Sequence, residues 1–416
     1  MRLVVQKYGG TSVGTPKRIQ NVARRLLKTQ SEGCQVVAVI SAMAGATDNL
    51  LKLAHQISSH PTERELDMLL STGEHAAAAL TAMAVNALGG RAASLTGAQA
   101  GILTDRNYTK ARIANISPKQ IHELLSDDYI VIVAGFQGQT PEGETTTLGR
   151  GGSDLTAIAL AGALNADACQ IFTDVDGIFT CDPRIVKGAK KLGEVAYDEL
   201  LEMAGGGAKV MQSRAVEFAK KFSIEFEVRS SFNKSRGTIA REERASMENV
   251  VIRGISVDRH QAKLTIAAVP DKPGIAGRIF FNVAAAHIVV DMIVQNASAG
   301  GVTDISFTIH EDELENARRI LMPVVGEIGA KRLNTSSGLA KLSVVGIGMR
   351  SHSGVAARMF ECLGRAGINI QLVSTSEIKI AVVIDEKDAE RAARLIHAEF
   401  GLARLVSATA AAQSLK

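Results

Sequence analysis

A lysine followed within five residues by two adjacent glycines and two hydroxyls, KYGGTS at residues 7 to 12, combines residue types suited to holding a phosphate. Lys7 brings positive charge, Gly9 and Gly10 let backbone N–H groups approach an anion closely, and Thr11 and Ser12 add hydrogen bonds. A second anion-friendly set lies in TTTLGRGGSD, residues 145 to 154. There Arg150 can grip a carboxylate bidentately, and Gly151, Gly152 and Ser153 expose backbone donors at a helix start. A third glycine loop, AGGGAKV, carries Lys209. Of the carboxylates, Glu74 in STGE either favours a helix dipole or holds a substrate ammonium. Asp174 and Asp176 in TDVDG either organise a metal-nucleotide or make a hairpin turn. Ser41 and Thr47 follow an apolar run and are substrate-loop candidates or helix caps. None of these loops is GxxxxGK[ST] or GxGxxG, so neither a P-loop nor a dinucleotide site is licensed.

Such residues need strands ending beneath them and helices beginning after them. Leu3 to Val5, QVVAVI (35 to 40), IVIVA (130 to 134) and ACQIFT (168 to 173) read as buried strands; IVIVA ends in a glycine-bracketed loop ahead of TTTLGRGGSD, and the other three end in loops named above. Thr15 and Pro16 form an N-cap and first helical residue, and Ile19, Val22, Ala23, Leu26 and Leu27 give that helix one apolar face. Lys17, Arg18, Arg24, Arg25 and Lys28 read as its solvated face. From about Glu63 to Leu88 the pattern is helical, with Gly73 marking a junction and Glu74 at the next helix start. Strands alternating with helices to about residue 245 predict an α/β layered domain with a mainly parallel sheet, whose ligands sit beyond the carboxyl ends of the strands.

Composition sets outer bounds. In 416 residues, 46% are hydrophobic and Lys plus Arg exceed Asp plus Glu by only four; there is no Trp. A weak charge balance without aromatic stacking surface argues against nucleic acid. The longest nearly apolar stretch, Ala76 to Leu88, falls short of the roughly 20 residues needed to span a bilayer. No signal-peptide core is present, so a cytoplasmic enzyme is expected. Cys34, Cys169, Cys181 and Cys362 match no zinc or redox spacing and read as free buried thiols; no resident metal site is expected.

After a polar linker, REERASMEN (241 to 249), the chain repeats itself. KLTIAAVPDKPGIAGRIFFNV begins at Lys263 and KLSVVGIGMRSHSGVAARMF at Lys341, with Gly274 opposite Gly354 and Asp291 opposite Gln371. Each copy reads β-α-β-β-α, and a closing strand would complete a ferredoxin-like unit. The expected divisions are 1–245, a linker and leading strand 246–262, and repeats 263–338 and 339–416.

KYGGTS, STGE, GRGGSD, TDVDGIFTCDPR and GAKV, followed by the DKPG and MRSHSGV repeats, resemble the aspartate kinases along the whole chain. The resemblance implies an amino-acid-kinase fold, an αβα sandwich, followed by two α+β ACT domains. It implies phosphorylation of L-aspartate by MgATP to 4-phospho-L-aspartate, the step that opens lysine, threonine, methionine and diaminopimelate synthesis. By motif, Lys7, Tyr8, Gly9, Gly10, Ser12, Thr173, Asp174, Phe179, Asp182, Pro183, Arg184 and Lys209 correspond to the ATP site, with Lys7 and Asp174 catalytic. Ser41, Thr47, Glu74, Arg150, Gly151, Gly152 and Ser153 correspond to the aspartate site. Effectors, lysine and threonine, would occupy one site at Asp271, Gly274, Ala276, Asp291 and Gln295 and another at Val355, Asn369, Ile370, Ser376 and Glu377. Val289 and Ser353 depart from residues frequent in the family. A homo-oligomer with paired ACT domains is expected, or an α2β2 enzyme whose regulatory subunit starts near Met247. The rival readings are another amino-acid-kinase-family enzyme and a non-catalytic amino-acid sensor of the same fold.

Overall fold

The computed structural model describes residues 1–205, 211–243, 251–296, 300–347, 349 and 353–404. Lys209 and Met247 lie outside them. The chain divides into two compact units: one holds 1–178, 191–204 and the described part of 209–245, the other 179–190 and the described part of 246–416.

The first unit is built on an eight-stranded sheet. From one edge its order is Glu194–Ala196, Thr238–Arg241, Phe226–Ser230, Ala168–Thr173, Arg2–Tyr8, Cys34–Ile40, Ile130–Ala134 and Ala92–Leu95. The six strands from Phe226–Ser230 to Ala92–Leu95 run parallel. Arg2–Tyr8 is central, and all of it but Arg2 is buried. The chain leaves it toward Cys34–Ile40 on one side, while Ala168–Thr173 pairs with it on the other. That reversal of strand order is where an open α/β sheet offers a crevice. The expected helix forms over Pro16–Ser31, and the Thr15 hydroxyl accepts the Arg18 N–H at 3.3 Å. It buries Ile19, Val22, Ala23 and Leu26 against Val36, Ala38 and Ile40.

Three expectations need correction here. The first strand extends through Lys7 to Tyr8, so Lys7 is the penultimate strand residue and not a loop residue. Glu63–Ala87 is one unbroken helix of 25 residues. Gly73 is not a junction; a Cβ there would lie 3.0 Å from the Ala42 Cβ, so its smallness lets the loop after the second strand pack on the helix. Arg25 is not on a freely solvated face: its guanidinium sits 4.5 Å from the centre of the Phe172 ring and donates to the carbonyls of Ser231 and Asn233. A four-stranded sheet, Ile113–Ile116, Ile102–Thr104, Gln137–Gln139 and Thr145–Thr147, was not foreseen. Asp67 organises its neighbourhood by accepting from the Thr109 and Thr147 N–H groups and the Thr147 hydroxyl.

The second unit is a six-stranded antiparallel sheet in the order Ile293–Gln295, Val302–His310, Val251–Pro270, Arg332–Ile347, Lys379–Asp385 and Leu372–Thr375. Each repeat contributes two helices, Ile275–Ala285 with Leu314–Glu327 and Ser353–Arg365 with Ala389–Glu399. The first closing strand falls within its own repeat, as expected, but the second comes from an unexpected place. Leu333 to Ser336 pair with Lys263 to Ile266 and close the first repeat, whereas Ile252 to Val257, the leading strand, pair with Leu342 to Gly346 and close the second. Residues 179–190 are built into this unit as well. The Ile255 N–H bonds the Thr180 carbonyl at 2.7 Å, and Cys181 and Val186 join the core formed by Leu342, Val344, Ile384 and Ile396. All four cysteines are free, and all but half-buried Cys34 are buried. Among the described residues, no helix is long and apolar enough to cross a membrane.

Candidate active site

At the carboxyl ends of the central strands, backbone hydrogen bonds lock the loops together. The Gly9 N–H reaches the Phe172 carbonyl at 3.1 Å, the Ser41 N–H the Tyr8 carbonyl at 3.1 Å, and the Gly135 N–H the Ile40 carbonyl at 3.0 Å. The approach is close enough to demand glycine. A Cβ on Gly10 would stand 2.8 Å from the Ala42 carbonyl oxygen, and one on Gly135 would stand 2.8 Å from Ser153. Gly10, Thr11 and Ser12 form a 3-10 turn, and the buried Ser12 hydroxyl shares a short hydrogen bond with that of Ser231.

Lys7 projects into this floor with only 8% of its surface exposed. Its Nζ pairs with Asp154 Oδ1 at 2.6 Å. Asp154 sits in the first turn of the helix Gly152–Ala163, entered through Gly151 in the left-handed region at φ 68°. A Cβ on Gly151 would fall 1.7 Å from Gln212 Cγ, so glycine is required on both counts. Space beside the Lys7 ammonium is kept open by Gly9, whose Cβ would lie 3.4 Å from Nζ.

Glu74 is 4% exposed, in the middle of its helix and not at a helix start, so no dipole explains it. One oxygen accepts the Ala42 N–H at 3.0 Å, while Oε2 is buried without any hydrogen-bond partner. Burial pushes this carboxyl up to about 7, against a smaller opposing effect of its backbone hydrogen bonds. A buried carboxylate with a free oxygen is costly unless a cationic group meets it.

Other expected residues are placed as follows. Ser41, Thr47 and Ser153 belong to these loops and helix starts, and Arg150 is exposed just before Gly151. Thr173 ends its strand and donates to the exposed Asp174 at 3.1 Å, and its carbonyl accepts the Ser231 N–H at 2.8 Å. The acid paired with Lys7 is Asp154. Tyr8 contributes packing: its ring stacks on Phe172 at 4.8 Å and its hydroxyl donates to Gln6. Phe179, Asp182, Pro183 and Arg184 fall in the second unit, where Arg184 binds Asp182 through two guanidinium nitrogens and holds its carboxyl below the usual range. Asp154 and Ser231 were missed. GRGGSD contains Asp154, but nothing in sequence spacing distinguishes it from a helix-start acid, and Ser231 comes from a distant strand.

The residues expected to bind effectors lie in the second unit. Gly274, at φ 89°, caps the helix Ile275–Ala285, with Asp271 exposed before it and Ala276 half-buried after it. Gln295 is exposed on an edge strand. Asp291 is engaged by the buried Lys341 in an ion pair. Val355 is buried, Asn369 is exposed and Ile370 half-buried, and Ser376 and Glu377 form the turn between the strands Leu372–Thr375 and Lys379–Asp385.

Known proteins resemble this chain along nearly its whole length. Residues 2–230 match the amino acid kinase family, and 267–322 and 342–400 match the ACT domain. An aspartate kinase of Stutzerimonas stutzeri is 51% identical over 97% of this chain and 98% of its own length. An aspartokinase of Helicobacter pylori is 48% identical over 96% of this chain and 99% of its own. Among solved structures, E. coli aspartokinase III with aspartate and ADP in the R state superposes with a TM-score of 0.80 at 25% identity, covering 96% of this chain and 99% of that one. The same enzyme with lysine and aspartate in the T state gives 0.74 at 26% identity, also over 96% and 99%. The chain belongs to the amino acid kinase family, among its aspartate kinases.

Proposed function

We propose that the chain transfers the γ-phosphoryl group of ATP to the side-chain carboxylate of L-aspartate, giving 4-phospho-L-aspartate and ADP. A substrate carboxylate oxygen attacks phosphorus while the bond from phosphorus to the β,γ-bridging oxygen breaks, and ADP departs with that electron pair. The nucleophile is already an anion at neutral pH, so no general base is needed. What remains is alignment and neutralisation of charge.

The residues divide that work. Gly9, Gly10 and Ser12 line the phosphate side, and Lys7 meets charge shifting toward the bridging oxygen. Asp154 holds the Lys7 ammonium in place. Thr173 ends the neighbouring strand, and Asp174, just after it, offers an exposed oxygen donor of the kind Mg²⁺ takes alongside phosphates. Bound Mg²⁺ supplies charge neutralisation on the nucleotide. Phe179, Asp182, Pro183, Arg184 and Lys209 enter the nucleotide assignment on their sequence motif. Ser41, Thr47, Arg150 and Ser153 face aspartate, Arg150 gripping its α-carboxylate.

The observation that carries the substrate assignment is Glu74. Its buried Oε2 has no hydrogen-bond partner and, once ionised, is suited to accept from a cation such as an amino-acid ammonium. The regulatory reading rests on two repeats with non-identical loops, which suit two different end products, lysine and threonine. ACT pairing between copies is supported by the edge strand Ile293–Gln295 and by exposed Phe281, Val289 and Ile293. We place the domain divisions at 1–245, 263–338 and 339–416, with the leading strand serving the second repeat.

Trapping with hydroxylamine tests the activity. L-Aspartate and MgATP together should yield aspartyl hydroxamate, and omission of either should abolish it. No hydroxamate from folded protein would favour a sensor that retains the fold. Mass spectrometry of protein made from the native gene tests the α2β2 arrangement, which needs a fragment beginning near Met247.

A further inference from the structure

The two repeats exchange contacts in matched pairs. Lys341 of the second repeat pairs with Asp291 of the first, and Lys263 of the first donates to Gln371 of the second at 2.9 Å. Where the two long strands bulge, a second matched pair of contacts stays on its own side: the leading strand that closes the second repeat reaches that repeat's turn, and the end of the first repeat reaches its own. The His260 N–H donates to Glu386 Oε2 at 3.1 Å and the Gly338 N–H to Glu311 Oε1 at 3.3 Å. His260 and Gly338 are both left-handed, with φ of 58° and 66°. Glu311 and Glu386 open equivalent 3-10 turns, Glu311–Glu313 and Glu386–Asp388, each following its repeat's interior strand. Contacts from copy one to copy two and back again are the pattern of a two-fold relation, here within one chain.

At this bulge an imidazole and one carboxylate from each repeat converge. One ligand atom each from His260, Glu311 and Glu386 can be chosen so that all lie within 4.8 Å of one another. His260 Nδ1 is 3.6 Å from Glu386 Oε2. Two ligands each about 2.0 Å from a tetrahedral ion stand roughly 3.3 Å apart, so only small side-chain rotations separate this arrangement from a coordination shell. A backbone N–H already orients each carboxylate, which is how outer contacts commonly fix metal ligands. The purely structural explanation, an ion-pair network, is weak here. The neighbouring cation Arg259 bonds Glu390 at 2.6 Å and stands 4.0 Å from Glu386, and His260, 63% exposed, is neutral unless protonated.

We propose that this cluster binds a divalent transition-metal ion, with Zn²⁺ as the representative, and thereby ties the first repeat, the second repeat and the long leading strand at one point. Mixed imidazole and carboxylate donors select Zn²⁺, Co²⁺ or Ni²⁺ over Mg²⁺ and Ca²⁺. His310, whose ring centre is 6.3 Å from that of His260, can supply a further nitrogen by rotation.

The test is titration of the chelator-treated full chain with ZnCl2 by calorimetry, together with Co²⁺ absorption spectra and thermal melting. One equivalent of Zn²⁺ should bind and raise the melting temperature. His260→Asn tolerates the left-handed backbone but lacks the imidazole, so it should melt normally without metal. It should weaken Zn²⁺ at least about tenfold and lose the Co²⁺ ligand-field bands. Glu311→Gln should weaken binding while leaving kcat unchanged. Equal affinity in wild type and His260→Asn, or no binding at millimolar Zn²⁺, overturns the proposal.

Discussion

Lys7 and Asp154 form a pair in which each side chain is about nine-tenths buried, so neither charge can be removed without consequence for the other. Breaking one partner of such a pair typically costs about 3–5 kcal/mol, because the survivor is left buried and uncompensated. Lys7→Ala should lower kcat by roughly 10² to 10³ with a much smaller change in the aspartate KM, since its charge matters most as the phosphoryl group moves. Asp154→Asn separates the two roles of the acid: a positioning role predicts a kcat loss that tracks misplacement of Lys7, whereas a drop in melting temperature at unchanged kcat would make the pair a scaffold. Glu74 gives a pH prediction with a definite sign. Burial holds its acid form up to about pH 7, but an ammonium binds the ionised form, so binding aspartate must release a proton below that pH. The amino acid's own groups keep their charge near neutrality. The aspartate KM should therefore fall as pH rises toward about 7 and level off above it, and Glu74→Gln should raise KM and flatten the profile. A wild-type KM that is flat between pH 6 and 8 would remove Glu74 from ammonium recognition.

The elements show where local sequence is enough and where it is not. The strands ending at Tyr8, Ile40, Ala134 and Thr173 were legible because a parallel strand covered on both faces is a short apolar run, and the helix over Pro16–Ser31 because its cap and period agree. Lys7 was misread as loop because a charged residue interrupts the apolar pattern, although a neighbouring strand on each side keeps the backbone extended. Gly73 was misread as a break because sequence cannot show that Ala42 packs against it. The closing strand of the second repeat was illegible for a related reason. Its partner lies about 90 residues away, and only long-range pairing, Ile255 with Val344 for instance, reveals it. Residues 179–190 carry the same lesson, since the motif Phe179 to Arg184 reads as a loop of the kinase sequence while its Thr180 bonds His397 and Ile255 in the second unit. A glycine can be tested at this scale. Gly10→Ala places a methyl 2.8 Å from the Ala42 carbonyl, so the turn after the first strand and the loop after the second must move apart. Overpacking of this sort costs about 1–3 kcal/mol. Raised KM values for both substrates with a modest loss of stability are expected, and unchanged kinetics would mean the two loops need not be in register.

For the molecule as a whole, the proposed regulation asks how an amino acid bound in the repeats would reach a reaction in the other unit. An effector can inhibit only to the extent that it binds an inactive arrangement better than an active one, and couplings of this kind are typically about 1–3 kcal/mol, or roughly 5- to 150-fold in affinity. The repeats share a single six-stranded sheet whose halves are joined through the long strands Val251–Pro270 and Arg332–Ile347 and cross-linked by the Lys341–Asp291 pair. Asp291 is thereby a structural link between the repeats, and its loss should unsettle the sheet as well as any effector site. Gln295 is the cleaner probe, being exposed at the sheet edge. Lysine and threonine together should shift the aspartate saturation curve to higher concentration more than either does alone. Gln295→Ala should relieve that shift while leaving uninhibited kcat nearly intact, because Gln295 belongs to the second unit whereas Lys7 and Glu74 belong to the first. If millimolar lysine and threonine, singly or combined, leave the curve in place, the repeats serve assembly alone, and the wild type and Gln295→Ala should then be kinetically indistinguishable.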